Sequence, residues 1–558
     1  MKKLIWSVLM MLFTGVALHG SESNKEYDVY LMIGQSNMAG RGLFEESDTV
    51  GTIDGVWLLD SDGVPVKASS PLNRYSTIRK DLSLQGYGPG EVFSKTMHNR
   101  TGRKILLVVN AKGGSSILQW LPGVSGGFLD EAIRRTRQAL QYGTLRGILW
   151  QQGETDIQRS TEDYAGKFNA MITFLRQELG ATDIPVAVGQ PGRWQWESTE
   201  KIENFIDSIM PQMCSITDNC HPVSSFRLTR CYKDKIRDPH FSRKAQMELG
   251  RRYADAIIPQ IDSIYVTKYQ GNRNAAISFT FDDGDEEHAS LVAPELEKRG
   301  FRGTFWIIGR TTDSGDPERP RASWPQLRKM AENGHEISNH SWSHGKLVLM
   351  TPQEISREIA MNDSAIEHNV GVRPVTFCYP FNATTPILEK LASANRVGTR
   401  LHQFATGQQN NKATPEKLQG WIEDIIAAGD WGVTMGHGIN VGYDKWYDPQ
   451  VLWDMFDYVK SKEKDIWVAT FRDVAAYREQ RDHTHIASIR DKGCITLRME
   501  CNLDETLFNV PLTVAVKGDW DSAKPRAITT SGEIDTRVEG DLLLFETIPG
   551  VYEYKIEL

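Results

Sequence analysis

Four short apolar runs, each stopping at a polar or glycine position, punctuate the first half of the chain. They are Val29–Ile33 before Gly34, Ile105–Val109 before Asn110, Ile148–Trp150 before Gln151, and Val186–Val188 before Gly189. Continuous apolar runs of this length, separated by helix-like stretches, predict strands buried on both faces and so a parallel sheet between helices. Ser242 followed by Ala245, Leu249, Tyr253 and Ile257 predicts a capped helix with one apolar face. A second α/β pattern opens near Ala275, where Ile277–Phe281 reads as a strand ending on two aspartates, and it runs to a helix near Asp473–Arg478. From about His483 the helical period stops, and Cys494–Met499, Leu512–Val516, Leu542–Glu546 and Tyr552–Leu558 read as strands between turn residues. The expectation is an α/β multidomain chain with units over 25–260 and 262–480 and a small β-sandwich over 483–558. The joining segment Ile261–Arg273 is neither Pro- nor Ser-rich, which favours packed units over a loose tether.

The first residues fix the expected compartment. Lys2-Lys3 precedes an apolar run from Leu4 to Leu18 and then polar sequence, the pattern of a secretory signal peptide over 1–20. Export to the periplasm or the extracellular space is therefore expected, with no membrane span after signal removal. Net charge is −8 and no long basic run occurs, which argues against a nucleic-acid partner. Oxidising surroundings would let the six cysteines pair. A disulfide within Cys214, Cys220 and Cys231 and one between Cys494 and Cys501 are the candidates, with the free thiols as the alternative in each case.

Ser36 sits in the Gly34-Gln35-Ser36-Asn37-Met38 turn directly after the first strand, where open α/β sheets place their sites. Further blocks follow in order: Lys112-Gly113-Gly114-Ser115-Ser116, Trp150-Gln151-Gln152-Gly153-Glu154 and Asp238-Pro239-His240. Together they resemble the SGNH hydrolases, and more closely carbohydrate esterase family 6 and the sialate O-acetylesterases. The resemblance implies a flavodoxin-like α/β/α sandwich in which Ser36 attacks an acetyl carbonyl and His240 moves the proton. It implies an oxyanion site made by the Ser36 and Gly114 N–H groups and the Gln152 side chain. Two acids compete to orient His240. Asp238, two residues before it, is favoured, and Glu154 is the rival.

The second unit carries another chemistry. Asp282-Asp283 ends a strand, and His340 and His344 stand at i, i+4, a spacing that on a helix would aim both imidazoles at one cation. Asp283 would complete a His-His-Asp set suited to Zn²⁺, with Co²⁺ or another divalent ion as the alternative. Thr280–Gly284, His340–His344 and Met435-Gly436-His437 resemble the motifs of the polysaccharide deacetylases, the NodB homology group or carbohydrate esterase family 4. That resemblance implies a distorted (β/α) barrel, with Asp282 as general base and His437 as general acid. Tyr379 and Trp431 are the candidates for lining the acetyl pocket. One departure stands out: Cys378-Tyr379-Pro380-Phe381 occupies the place of the family's frequent Arg-Pro-Pro-Tyr, so the arginine that usually pairs with the base is missing at that position, and the tuning of Asp282 must differ or come from elsewhere.

These readings converge on a secreted, two-site carbohydrate esterase acting on acetylated polysaccharide, with acetylated xylan or a related plant cell-wall glycan preferred. The alternatives are deacetylation of sialic acid, peptidoglycan or chitin-type glycans, or a single active domain joined to a degenerate glycan-binding one.

Overall fold

The computed structural model describes residues 25–79, 81–194, 199–233, 236–313, 318–491, 493–520 and 525–558. The expected signal peptide, 1–20, lies outside them. The first unit is built on a seven-stranded sheet ordered Pro65–Lys67, Val56–Leu59, Lys104–Ala111, Tyr27–Gly34, Gly143–Gln151, Val186–Gly189 and Cys220–Val223. All neighbours pair in parallel except the edge strand Pro65–Lys67. The side-chain period of two divides the apolar residues between two faces. Val29, Leu31 and Ile33 join a cluster with Ile133, Phe168 and Met171, whereas Tyr30 and Met32 join another with Phe93, Met97, Leu249 and Tyr253. Helices therefore cover both faces, as the unbroken apolar runs require. Ser242 caps the helix Arg243–Ile261 by accepting from the Ala245 N–H.

The strand Tyr27–Gly34 lies between Lys104–Ala111 and Gly143–Gln151, so the winding direction reverses at its carboxyl end. A crevice opens at such a switch point. Gly34 is needed there: its φ is +132°, and a side chain would meet the Gln151 carbonyl oxygen at 2.3 Å.

The second unit is a half-barrel of parallel strands. Thr280–Phe281, Thr304–Ile307, Glu336–Asn339, Thr376–Cys378 and Gly398–Arg400 form one sheet; Phe404–Ala405, Trp431–Met435, Ala275–Ser278 and Ile466–Val468 form the other. They meet along Ala275–Phe281, a strand interrupted at Phe279, and Phe281 bridges to Gly436.

The last segment contains two antiparallel sheets sharing an apolar cluster that includes Leu497, Val514, Phe545 and Ile556. One of these sheets recruits Ile264–Val266, which pairs with Thr513–Lys517. The segment between the two α/β units is thus an edge strand of the C-terminal sheet, not a connector in open space. The same cluster takes in Trp306 and Phe471 of the half-barrel. Ion pairs tie the α/β units together: Arg251 to Glu479 at 2.6 Å, Arg478 to Glu248 at 2.8 Å, and Arg252 to Asp430 at 3.1 Å.

The cysteine expectations need one correction. Cys494 and Cys501 begin and end one eight-residue strand, so they stand roughly 23 Å apart and cannot bridge. Cys214 and Cys220 do adjoin, Sγ to Sγ at 2.7 Å.

Candidate functional site: a serine centre and a carboxylate–histidine centre

Ser36 opens a one-turn helix, Ser36–Ala39, so its N–H has no partner within that helix. His240 ends the Asp238-Pro239-His240 stretch of the strand Ile236–Phe241. Its Nε2 stands 2.9 Å from Ser36 Oγ, and its Nδ1 stands 2.5 Å from Asp238 Oδ1. The two-residue spacing works because Asp238 folds back and also accepts the His240 N–H at 2.9 Å. Glu154 goes elsewhere: its Oε1 accepts from Asn37 Nδ2 at 2.6 Å. Asn37 Oδ1 in turn accepts from the Phe241 N–H at 3.2 Å, so Glu154 braces the turn holding Ser36 against the strand holding His240. Burial holds His240 below the ordinary histidine range; Asp238 opposes that effect and Arg41 adds to it. A pocket of about 310 Å³ opens over the serine, lined by Arg41, Arg79, Gly113, Gly114 and Glu154 among others.

Gln152 is a correction. Its amide nitrogen lies 2.8 Å from Ser115 O, 3.1 Å from Gln35 Oε1 and 2.5 Å from Asp156 Oδ2, and its oxygen accepts from the Tyr164 hydroxyl. Two amide protons are fully used by these acceptors, and the residue is buried beneath the pocket, so it has no donor to offer an oxyanion. Gly114, by contrast, lines the pocket over the serine.

The second centre gathers at the carboxyl ends of the half-barrel strands. Asp283 adopts φ +78°, which breaks the strand alternation and swings its carboxylate to the same side as that of Asp282. His340 and His344 are not on a helix. Ser341 and His344 both have positive φ (63° and 56°), and the loop is tied by the Ser341 N–H to Asn339 Oδ1 and the His344 N–H to Ser341 Oγ. This compact loop still brings both imidazoles together: their Nε2 atoms lie 3.5 and 3.6 Å from Asp283 Oδ1. That oxygen is buried and makes no hydrogen bond. A buried carboxylate oxygen left unsatisfied between two imidazole nitrogens fits a divalent cation, since such groups are otherwise costly. His340 Nδ1 is fixed by the Cys378 carbonyl at 2.9 Å, the outer contact that orients a ligating histidine.

The missing arginine is present, from another strand. Arg400, at the end of Gly398–Arg400, donates Nη1 to Asp282 Oδ1 at 2.6 Å and Nη2 to Asp282 Oδ2 at 2.5 Å. Burial pushes the Asp282 carboxyl up, but the charges of Arg400, His437 and His340 outweigh it and hold it below the usual carboxylate range. His437 Nε2 lies 3.9 Å from Asp282 Oδ2, and the His437 carbonyl is held by His288 Nε2 at 2.9 Å.

Residues 26–259 match the family described as carbohydrate esterase, sialic acid-specific acetylesterase, and residues 270–401 match the polysaccharide deacetylases. The chain is a fusion of these two families. Among curated proteins it is similar to a gellan lyase of Bacillus sp., 24% identical over 51% of this chain and 13% of that protein. It is similar to a probable carbohydrate esterase of Arabidopsis thaliana, 28% identical over 28% of this chain and 66% of the relative. Both matches span less than two thirds of those relatives' own length. Among solved structures, an Arabidopsis thaliana protein aligns at 23% identity and TM-score 0.36, covering 42% of this chain and all of its own. A family 4 acetyl xylan esterase of Clostridium thermocellum in complex with cobalt aligns at 23% identity and TM-score 0.28, covering 36% of this chain and 89% of its own.

In the deacetylase domain the two residues expected to line the acetyl pocket do not sit at the cation cluster. Trp431 starts the strand whose far end leads to His437, about 13 Å away along the strand. Its indole donates to Ser278 Oγ at 3.0 Å, and it lines a cavity of about 860 Å³ between the esterase and deacetylase domains. Tyr379 is buried, with its hydroxyl 3.0 Å from Thr399 Oγ1 and its ring against Phe377. The aromatics at the cluster are others: Phe381, 4.6 Å between ring centres from His344, and Tyr443, 4.9 Å from His437. Both are exposed. Phe381 belongs to the departing Cys-Tyr-Pro-Phe block, two positions after Tyr379.

Proposed function

We propose that the protein is an exported carbohydrate deacetylase with two independent hydrolytic centres. The observation that carries this reading is the Asp238–His240–Ser36 hydrogen-bond chain in one domain beside the Asp283–His340–His344 cluster in the other. At the first centre His240 Nε2 takes the Ser36 proton as Oγ attacks the acetyl carbonyl. The Ser36 and Gly114 N–H groups receive the oxyanion. Collapse releases the sugar hydroxyl with the proton from His240, and water then clears the acetyl-enzyme by the reverse proton path.

At the second centre Asp283, His340 and His344 would hold a divalent cation, Zn²⁺ first by donor type, which when bound would supply Lewis-acid polarisation of the acetyl carbonyl and of water. Asp282, held by Arg400, accepts the proton of that water, and His437 donates to the leaving oxygen or nitrogen. Arg400 argues against a degenerate second domain, because the base has its charged partner after all. Acetylated xylan or a related cell-wall glycan is the preferred substrate.

Acetate release from a panel of native acetylated glycans tests this. Ser36→Ala is expected to abolish one activity and Asp283→Ala the other, with chelation reproducing only the second loss. Complete loss of all acetate release on chelation alone would mean the centres are not independent.

A further inference from the structure

The carboxylate that faces the two imidazoles is held from behind. Asp283 Oδ1 stands 3.5 and 3.6 Å from His340 and His344 Nε2, whereas Asp283 Oδ2 accepts from Arg319 Nη2 at 2.6 Å. Arg319 is itself fixed: its Nε donates to Asp285 Oδ1 at 3.0 Å, and its Nη2 also reaches Asp285 Oδ2 at 3.2 Å. Asp285 is fully buried. Arg321 Nη1 donates to Asp285 Oδ1 at 2.7 Å and to the Asp283 carbonyl at 2.6 Å. The backbone adds to the hold. The stretch carrying both arginines lies antiparallel to the turn at Asp285, with the Ala322 N–H on the Gly284 carbonyl and the Glu286 N–H on the Pro320 carbonyl. A side chain on Gly442 would come within 2.9 Å of Asp285 Oδ2 and 3.4 Å of Arg319 Nε, so the loop that follows His437 closes directly over this clasp. Of the carboxylate oxygens of Asp283 and Asp285, the one left without a hydrogen bond is Asp283 Oδ1.

We propose that Arg319 is a positioning residue that restricts Asp283 to one donor oxygen, and that this restriction sets which cation the second centre prefers. A carboxylate with both oxygens free can give both to one ion. Hard cations that gather many oxygen donors gain most from that second oxygen. With Oδ2 taken by Arg319, Asp283 has Oδ1 alone to offer, beside two imidazole nitrogens. Such a small, nitrogen-rich set suits Zn²⁺ and disfavours Mn²⁺. The fork to Asp285 keeps the guanidinium in place, so the restriction is built in and does not depend on a flexible side chain. The inference rests on the reading of Asp283, His340 and His344 as cation ligands and adds to it a source of selectivity outside the ligands themselves.

The test titrates Zn²⁺ and Mn²⁺ into the metal-stripped full chain by competition with a chelating dye. Wild type, Arg319→Met, Arg319→Lys and Asp283→Ala are compared. The ratio of Zn²⁺ to Mn²⁺ affinity is expected to fall at least about tenfold in Arg319→Met, through weaker Zn²⁺ binding and Mn²⁺ binding that holds or tightens. The visible absorption of the Co²⁺-loaded chain should weaken in the same variant as the freed oxygen adds a donor. Arg319→Lys keeps a charge for Oδ2 but not the fork, so its ratio should fall between the two. Ser36-dependent turnover of 4-nitrophenyl acetate and thermal unfolding show which variants fold. Equal losses for Zn²⁺ and Mn²⁺, or no change in either, overturn the proposal. If Arg319→Met does not fold, an Arg319→Lys ratio equal to that of the wild type overturns it. Wild type that binds Zn²⁺ no more tightly than Asp283→Ala would instead defeat the cation reading, a result distinct from an unchanged ratio.

Discussion

The two centres solve the problem of proton transfer in opposite ways. In the esterase domain every bond of the relay is already made: carboxylate to imidazole at 2.5 Å and imidazole to hydroxyl at 2.9 Å. In the deacetylase domain the key carboxylate oxygen is buried and unsatisfied, 3.5 and 3.6 Å from two imidazole nitrogens. On the proposed reading the first centre is complete in its own side chains, whereas the second gathers donors that a divalent cation would complete. The charges around them follow suit. His240 works with a single acid, but Asp282 needs a buried bidentate arginine brought from a strand 118 residues away. Asp238 lies two residues from the histidine it holds, so one short motif carries that pair. A site whose partner lies on a distant strand can keep its chemistry while losing a motif.

The sharpest way to break the serine side of this comparison is to exchange the acid. Asp238→Asn should lower kcat/KM on 4-nitrophenyl acetate roughly 10³- to 10⁴-fold, the scale seen when a triad carboxylate becomes an amide. Glu154→Gln removes only one side of a brace and should cost less than about tenfold. If Glu154→Gln proves the more damaging, the triad acid has been misassigned. On the other side, Arg400→Met should lower deacetylation at the second centre about 100-fold, because an unheld Asp282 no longer meets its proton in register. The same variant leaves a buried carboxylate without its partner, a loss worth about 3–5 kcal/mol of stability. Ser36-dependent turnover at low temperature then serves as the folding control, and thermal unfolding reads the stability loss.

Arg400 also marks where the sequence stopped being legible. Four adjoining strands of the first sheet could be read because their apolar runs are buried on both faces, whereas Pro65–Lys67 and Cys220–Val223 at its edges are partly exposed and carry no such run. Ser36, Asp238 and His240 could be read because short turns fix them relative to strand ends. Gly398-Thr399-Arg400 carries no pattern of its own, and only the pairing of strands shows that it ends beside Asp282. The His340–His344 spacing suggested a helix, but Ser341 and Asn339 compete for the backbone and make a loop that serves the same end. Trp431 and Gln152 failed for a common reason: residue type and proximity in sequence do not tell which end of a strand, or which side of a loop, faces the pocket. The Ile264–Val266 strand was hidden in an unremarkable connector because its partner lies about 250 residues on.

The smallest expected effect is the most specific. In the proposed mechanism His240 must be neutral to accept the Ser36 proton, so its ionisation would set the acid limb of kcat/KM. Burial lowers it below the ordinary histidine value, and the Arg41 charge lowers it further. Activity on a neutral ester should therefore persist into mildly acidic solution. Removing the Arg41 charge takes away one lowering influence, so the histidine becomes easier to protonate and the acid limb moves to higher pH. Arg41→Met, assayed with 4-nitrophenyl acetate across pH 4 to 8, should show that displacement, and high salt should shrink it in the wild type. An acid limb that stays put or moves down would place the Arg41 charge outside the reach of His240, and would leave the serine centre governed by burial and Asp238 alone.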